Sequence, residues 1–134
     1  MSVISGETKL VGLLSQGMTK TLSPAMHNHA ISIFRKDLVY LNFDLPPERV
    51  ESFLEIFWHM GGQGLNVTVP HKNLVASLVP SNGLQSVNTL VRSADGWVGH
   101  STDGEGFIRG LDRSNVNIMD FELPEDIKAL KDTV

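Results

Sequence analysis

Cysteine is absent from this 134-residue chain, which excludes disulfides, thiolate metal sites and cysteine nucleophiles. Long hydrophobic runs are also absent, and none approaches the roughly 20 residues that a membrane-spanning helix needs. The N-terminal stretch MSVISGETKL lacks a basic region followed by a long apolar segment, so we expect no secretory signal. These absences predict a cytoplasmic protein without a membrane partner.

An excess of basic residues is lacking too. The chain has 11 lysine and arginine residues against 15 acidic ones, a formal net charge of −4, and the basic residues form no cluster. Binding to nucleic-acid phosphates depends on such clusters, so we expect no nucleic-acid partner. The length and the 41% of hydrophobic residues are typical of one globular domain with a real core.

Short apolar runs alternate with helical patterns in the first part of the chain. The run LVGLL at 10–14 is typical of a strand buried on both faces, and LVYLNF at 38–43 predicts a second strand. Between them, Ser23 followed by Pro24 predicts a helix that starts with a hydroxyl cap and ends near Lys36. The apolar stripe of this helix comprises Met26, Ala30, Ile33 and Phe34.

A second helix and a third strand follow. Pro46-Pro47 predicts the start of the helix and Gly61-Gly62 its end. Its apolar stripe comprises Val50, Phe53, Leu54, Phe57 and Trp58. The stretch LNVTV at 65–69 then predicts a strand. Repeated alternation of strand and helix indicates a mainly parallel sheet with helices on both faces.

The pattern changes after the third strand. A short helix is predicted through Leu78, and then VNTLVR and WVGH indicate strands on either side of an Asp-Gly hairpin signal. A hairpin adds one antiparallel strand to the sheet. The predicted class is therefore α/β, with three layers and a twisted, mainly parallel sheet that contains one antiparallel strand.

Polar residues mark the end of the third strand. Alternate residues of a strand face opposite ways, so Asn66 and Thr68 share a face, and Lys72 follows shortly afterwards. In open α/β sheets, ligands bind outside the carboxyl ends of the strands, which predicts a polar site here. In the alternative interpretation, Asn66 and Thr68 only satisfy neighbouring loop backbone, and Lys72 is an exposed lysine at a helix start.

Other segments lead to the same edge of the predicted sheet. They carry Thr21, Ser23, Asn88 and Asp103. Hydroxyls, carboxamides, one lysine and one carboxylate suit a small polyhydroxylated ligand, because each ligand hydroxyl needs donors and acceptors. Lys72 and Asp103 also form a candidate acid/base pair. The alternative for Ser23 and for Asp103 is a helix cap.

Metal and dinucleotide sites are not predicted. His27 and His29 are two residues apart on a helix and cannot face one ion together. The segment GEGFIRG at 104–110 nearly matches the dinucleotide fingerprint, but its last glycine is one residue too far and no strand follows. We expect a helix there that ends near Leu111 and closes a domain of residues 1–111, with 112–134 as a connector.

Four motifs together resemble a known family. In order and spacing, LSPAMHNHA, GLNVTVPHK, SVNTLV and STDGEGF are similar to the substrate-binding N-terminal domain of shikimate dehydrogenases, including the quinate/shikimate enzymes. The resemblance covers residues 8–111. It implies an oxidoreductase that reduces 3-dehydroshikimate to shikimate with NADPH in aromatic amino acid biosynthesis.

The resemblance also implies roles for individual residues. Those that would bind the substrate are Thr21, Ser23, Asn66, Thr68, Lys72, Asn88 and Asp103. The hydroxyls of Thr21 and Ser23 would hold the substrate carboxylate. Its hydroxyls or ketone would be held by Asn66, Thr68, Asn88 and Asp103. Lys72, paired with Asp103, would be the catalytic acid/base that supplies a proton as the carbonyl is reduced.

Some positions depart from the family pattern. Thr21 stands where serine is usual, Ser101 where asparagine is usual and Ser86 where alanine or glycine is usual, and the stretch between Lys72 and Val87 is short. These differences leave two alternatives open, a dehydrogenase for quinate or a shikimate-like acid, and a free-standing binding module for such acids.

The implied cofactor is NADP, which the family binds in a second domain. The first strand of that domain is expected where the sequence stops at Val134, so we expect no cofactor site in this chain and no activity from it alone. The expected small-molecule partner is shikimate or 3-dehydroshikimate, and homodimerisation is left open.

Overall fold

The computed structural model describes residues 3–103. Its strands are β1 (Lys9–Ser15), β2 (Leu38–Asp44), β3 (Gly64–Val67), β4 (Thr89–Ser93) and β5 (Gly96–His100). Its α-helices are α1 (Ser23–Ile33), α2 (Val50–His59) and α3 (Lys72–Leu78), and a short 3₁₀ helix (Pro47–Arg49) leads into α2. Each strand and each α-helix was predicted, with ends that differ by a few residues, whereas the 3₁₀ helix occupies the predicted start of the second helix.

The strands form one five-stranded sheet in the order β2-β1-β3-β4-β5. β1 runs parallel to both β2 and β3, whereas β4 is antiparallel to β3 and to β5. β4 is therefore the one reversed strand of this sheet. The predicted α/β class, with a mainly parallel sheet and one antiparallel strand, is confirmed.

Helices cover both faces of the sheet, as predicted. Tyr40 and Phe43 of β2 differ by an odd number of positions, so their side chains point to opposite faces. On one face, the ring of His27 in α1 stacks on Tyr40 with ring centroids 4.2 Å apart. On the other face, Phe53 and Phe57 of α2 each lie 5.1 Å from the Phe43 ring.

The main core lies between α2 and the sheet. The predicted stripe of α2 is confirmed: Val50, Leu54 and Phe57 are buried, and Phe53 and Trp58 pack against them. The aromatic contacts of α2 extend to the β4–β5 hairpin, because the Trp97 ring stacks on the Phe57 ring with centroids 5.9 Å apart. The indole N–H of Trp97 donates to the carbonyl of Leu54 at 2.8 Å, so burial leaves this polar group paired.

A glycine pair ends α2. Gly61 has φ +86°, a conformation that side chains rarely adopt. A Cβ at Gly62 would lie 2.3 Å from the Phe57 ring, so only glycine fits against the core at this position. The chain then enters β3, and the glycine pair thus fixes where the helix stops and the central strand begins.

The predictions for α1 are partly wrong. The helix ends at Ile33 rather than near Lys36, and no residue of it is buried. Met26, Ile33 and Phe34 of the predicted stripe are 61%, 62% and 72% exposed. Helical periodicity tells which residues share a face but not which face meets the sheet. In α1 the polar residues His27 and Asn28 contact the sheet, and both bind Tyr40 of β2.

The predicted hydroxyl cap of α1 is also wrong. Ser23 is the first helical residue, Leu22 occupies the cap position, and no side chain caps the helix. The hydroxyl oxygen of Thr21 accepts the Ser23 N–H at 3.2 Å instead. The Ser23 hydroxyl is therefore not used as a cap.

The described part ends soon after the sheet. The compact unit to which β1–β5 belong ends at His100, and residues 101–103 lie outside it. The predicted helix through Leu111, the boundary at 111 and the connector 112–134 fall outside the described residues. None of the helices within 3–103 has the length and apolar character needed to cross a membrane.

Candidate functional site

The carboxyl ends of β1, β2 and β3 meet at one edge of the sheet because the three strands are parallel. β4 begins and β5 ends at this same edge, where Thr89 pairs with His100. We call it the carboxyl edge. In open α/β sheets ligands bind at this edge, which makes it the candidate location of a site.

A tight turn follows β3 at the carboxyl edge. The N–H of Thr68 donates to the carbonyl of Leu14 at 3.1 Å, and the N–H of His71 donates to the carbonyl of Thr68 at 3.0 Å. The peptide bond between Val69 and Pro70 is cis. α3 begins directly after this turn, so its first residue, Lys72, is fixed close in sequence and in space to the half-buried Thr68.

Asn88 is held beside the same turn. The N–H of Val67 donates to the Asn88 carbonyl at 2.8 Å, and the Asn88 N–H donates to the carbonyl of His100 at 3.0 Å. The preceding residue, Val87, donates its N–H to the carbonyl of Lys72 at 3.0 Å. These bonds bring Asn88 and Lys72 together at the carboxyl edge. Both residues are half-buried, so Lys72 is not the exposed helix-start lysine of the alternative interpretation.

Asn66 lies on the face of β3 that the alternation predicts. Leu65 and Val67 are buried on the α2 side, and Asn66 is half-buried on the side of α1. Its side-chain oxygen accepts a hydrogen bond from the Tyr40 hydroxyl at 2.9 Å. The partner is a side chain of another strand rather than loop backbone. Asn66 and Tyr40 also line a cavity of about 370 Å³ on this face, together with His27.

The loop between β1 and α1 carries Thr21, and Ser23 is the first residue of α1. The loop is anchored at the carboxyl end of β2, because the N–H of Gly17 donates to the carboxylate of Asp44 at 2.8 Å. Both residues are half-buried. The structure therefore places the loop with Thr21, and the start of α1 with Ser23, at the carboxyl edge.

Asp103 is described but lies beyond the compact unit that ends at His100. Its side chain is exposed. The pairing of Asp103 with Lys72 stays a prediction of the sequence.

His71 is a site-supporting residue that the sequence analysis missed. It is fully buried, and its Nε2–H donates to the carbonyls of Ser15, at 3.1 Å, and Leu45, at 2.8 Å. Those carbonyls lie at the ends of β1 and β2, so His71 ties the residue before Lys72 to both strands. Its Nδ1 is buried without a hydrogen-bond partner among the described residues. The only sequence signal was a histidine next to the candidate lysine.

A larger cavity lies elsewhere among residues 3–103. It has a volume of about 520 Å³, lies between α2 and the β4–β5 hairpin and is lined by the acidic residues Glu51, Glu55 and Asp95. None of the predicted site residues lines it. Three carboxylates disfavour an anionic ligand, so this cavity does not suit a carboxylic acid. Within residues 3–103 there is also no group of histidine and acidic side chains that could hold a metal ion.

Comparison with known proteins decides the family. A family model described as the shikimate dehydrogenase substrate binding domain matches residues 13–90, more than half of the chain. The chain belongs to this family. All of the predicted site residues except Asp103 fall within the matched range.

Curated relatives agree with the family match. A shikimate dehydrogenase (NADP(+)) of Trichormus variabilis is 40% identical over 114 residues, and one of Methanopyrus kandleri is 42% identical over 113 residues. Each alignment covers 81% of this chain and 39% of the relative. The chain thus spans about two fifths of the length of the curated relatives it matches.

Solved structures share the fold of this shikimate dehydrogenase domain. Shikimate 5-dehydrogenase from Listeria monocytogenes, crystallised in complex with shikimate and NAD, superposes with a TM-score of 0.80 at 31% identity. The superposition covers 88% of this chain and 43% of the Listeria protein.

Proposed function

We propose that this chain is the substrate-binding and acid/base half of an NADP-dependent shikimate dehydrogenase, which reduces 3-dehydroshikimate to shikimate in aromatic amino acid biosynthesis. The observation that carries the proposal is the group of Asn66, Thr68, Lys72 and Asn88 at the carboxyl edge, within the range of the family match. The curated relatives named above are NADP-dependent shikimate dehydrogenases, and the Listeria enzyme was crystallised with shikimate.

The residue types suit the chemistry of the substrate. Shikimate carries one carboxylate and several hydroxyls, and it needs donors for the former and mixed donors and acceptors for the latter. The hydroxyls of Thr21 and Ser23 donate to the carboxylate. The Ser23 hydroxyl is not used as a helix cap, which supports this role. Asn66, Thr68 and Asn88 supply amide and hydroxyl groups for the ligand hydroxyls.

Lys72 supplies the proton in this proposal. As the carbonyl carbon of 3-dehydroshikimate is reduced to an alcohol, its oxygen takes a proton from the Lys72 Nζ. Asp103 orients the ammonium group and favours its charged form. The buried His71, next to Lys72, is hydrogen-bonded to the carbonyls of Ser15 and Leu45 at the ends of β1 and β2. These bonds hold the backbone at Lys72 in place, which supports proton transfer because that role requires a fixed position.

NADP, the cofactor named for the curated relatives, supplies the hydride when it is bound. Within residues 3–103, no strand is followed by a Gly-x-Gly-x-x-Gly turn, so the described residues do not fit the dinucleotide. The steps assigned to this chain are therefore substrate binding and proton transfer. The cytoplasmic location and a homodimer stay predictions.

Calorimetric titration of the 134-residue chain with shikimate tests the proposal. We expect saturable binding of shikimate, and Thr21→Ala together with Ser23→Ala should abolish it because the carboxylate loses its donors. Ser52→Ala, which removes a hydroxyl on α2, is the matched control and should bind as the unchanged chain does. Absence of binding by the unchanged chain would contradict the proposed substrate.

Thr21 favours a second candidate, a dehydrogenase for quinate or a similar acid. Threonine keeps the hydroxyl but adds a methyl group where the family usually has serine, which changes the space around the carboxylate. Titration with quinate beside shikimate separates the candidates, because a preference for quinate would favour the second. A free-standing binding module would bind these acids but would support no NADPH-dependent turnover in the gene's full product.

A further inference from the structure

Tyr40 is the only tyrosine of the chain, and its side chain is 3% exposed. Its hydroxyl donates to the side-chain oxygen of Asn66 at 2.9 Å. We infer that Tyr40 is a positioning residue that turns the Asn66 amide so that its NH₂ group faces the ligand. This inference rests on the proposed function. It goes beyond it by assigning the donor at this position and the residue that sets it.

The orientation follows from the chemistry of the two groups. A carboxamide has one end that only accepts and one end that only donates, whereas a buried tyrosine hydroxyl needs an acceptor for its proton. The oxygen end of Asn66 meets that need. Burial raises the pKa of Tyr40 to about 12, so the hydroxyl keeps its proton at neutral pH. A flipped amide would leave the Tyr40 proton without this acceptor.

The NH₂ end of Asn66 is thereby available. Within residues 3–103, the Asn66 side chain makes no hydrogen bond other than that to Tyr40. Asn66 is half-buried and borders the cavity on the α1 face. A donor in this place selects a ligand oxygen that can accept a hydrogen bond.

Tyr40 is itself fixed by α1. β2 is an edge strand, and the Asn28 amide binds its outer side with two hydrogen bonds of 2.8 Å, to the N–H and to the carbonyl of Tyr40. The ring of His27 stacks on the Tyr40 ring with an interplanar angle of 13°. The backbone, the ring and the hydroxyl of Tyr40 are each held by a different partner.

These contacts connect the two ends of the proposed site. α1 starts at Ser23, the proposed carboxylate ligand, and fixes Tyr40, which orients Asn66 on β3. The helix thus sets the donor for the carboxylate and, through Tyr40, the donor for another ligand oxygen. Binding should depend on Tyr40 although Tyr40 need not touch the ligand.

A double-mutant cycle tests the inference. Shikimate affinity is measured by calorimetry for the 134-residue chain, Tyr40→Phe, Asn66→Ala and the double variant. We expect Tyr40→Phe to weaken binding by about tenfold, the scale of one positioned hydrogen bond, and to have no further effect in the Asn66→Ala background. Asn66→Asp keeps an acceptor for the Tyr40 hydroxyl but loses the NH₂ group. It should bind shikimate no more tightly than Asn66→Ala does. The control Ser52→Ala should leave affinity unchanged.

A second readout needs no ligand. The Asn66 side-chain NH₂ signals in ¹⁵N NMR spectra should move in Tyr40→Phe while the backbone signals of α2 stay in place, which also shows that the variant is folded. Equal shikimate affinity of Tyr40→Phe and the unchanged chain, or additive effects in the cycle, would overturn the inference but not the proposed function. If the unchanged chain failed to bind shikimate while the Asn66 signals still moved, the proposed function would fail and the positioning would stand. Unmoved Asn66 signals would overturn the positioning itself.

Discussion

The two faces of the sheet differ in the side chains that they present to the helices. Against α2 the sheet presents apolar and aromatic side chains, with Phe57 fully buried and the indole N–H of Trp97 paired to backbone. Against α1 it presents the polar groups of Tyr40 and Asn66 among apolar side chains such as the buried Leu13, and α1 itself has no buried residue. Apolar burial supplies most of the stability of a domain, whereas oriented polar groups supply recognition. From this difference we expect stability to reside mainly on the α2 face, and we propose that ligand binding takes place on the α1 face and at the carboxyl edge.

Lys72→Ala should produce the largest effect, confined to function. In the full dehydrogenase we expect turnover to fall by about 10²–10⁴-fold, the usual contribution of a general acid, with little change in shikimate affinity. Steady-state assay of NADPH oxidation measures the turnover. Lys9→Ala, at the start of β1 and far along the strand from the carboxyl edge, is the control and should keep full turnover. Near-normal turnover of Lys72→Ala would contradict the acid/base role.

Phe57→Ala should destabilise the core between α2 and the sheet. Removing this fully buried ring leaves a cavity beside Phe43 and Phe53, so we expect the free energy of unfolding to fall by about 3–5 kcal/mol. Urea denaturation followed by circular dichroism measures the loss. Where the variant remains folded, its shikimate affinity should be close to that of the unchanged chain. A loss below about 1 kcal/mol would show that stability does not reside on this face.

His71→Phe tests whether the hydrogen bonds of His71 stabilise the carboxyl edge, where the proposed site lies. Phenylalanine keeps an aromatic ring at this position but removes the Nε2–H bonds to the carbonyls of Ser15 and Leu45, which should cost about 1–3 kcal/mol in the free energy of unfolding. His71→Gln retains a donor and should recover part of this loss. Thermal unfolding compares the two variants. If both were as stable as the unchanged chain, the carbonyl contacts of His71 would not support the carboxyl edge.

Phe34→Ser should have the smallest effect and sharpen the contrast between the helices. Phe34, just after α1, is 72% exposed, so we expect a change within about 0.5 kcal/mol in the free energy of unfolding. Phe53→Ser on α2, which packs against the core, is the matched comparison and should destabilise clearly. Equal losses would mean that the α1 side is also a core face.

Much of the α2 face could be predicted from the sequence. Val50, Leu54 and Phe57 form a stripe in which every apolar position is used for burial, so periodicity and packing agree. The prediction of a buried apolar stripe on α1 was wrong because α1 contacts the sheet through the polar residues Asn28 and His27. Hydrophobic periodicity gives no signal for such polar contacts. The mainly parallel sheet and its one antiparallel strand followed from the alternation of elements and the hairpin signal, whereas the strand order was not predicted.

The candidate site was only partly visible in the sequence. Alternation placed Asn66 on the correct face, and its proximity to the carboxyl edge followed from strand direction. The Tyr40–Asn66 bond joins side chains 26 positions apart on non-adjacent strands, and no local pattern indicates such a contact. The burial of His71 likewise depends on carbonyls that other strands supply.

An NMR titration of the ¹⁵N-labelled 134-residue chain with shikimate tests the division of labour most directly. We predict saturable shifts of the Thr68, Lys72 and Asn88 amides and of the Asn66 side-chain NH₂, with the Trp97 indole signal unmoved. Shifts centred on Trp97 and the acidic cavity beside α2, or no saturable shift at the carboxyl edge, would contradict it.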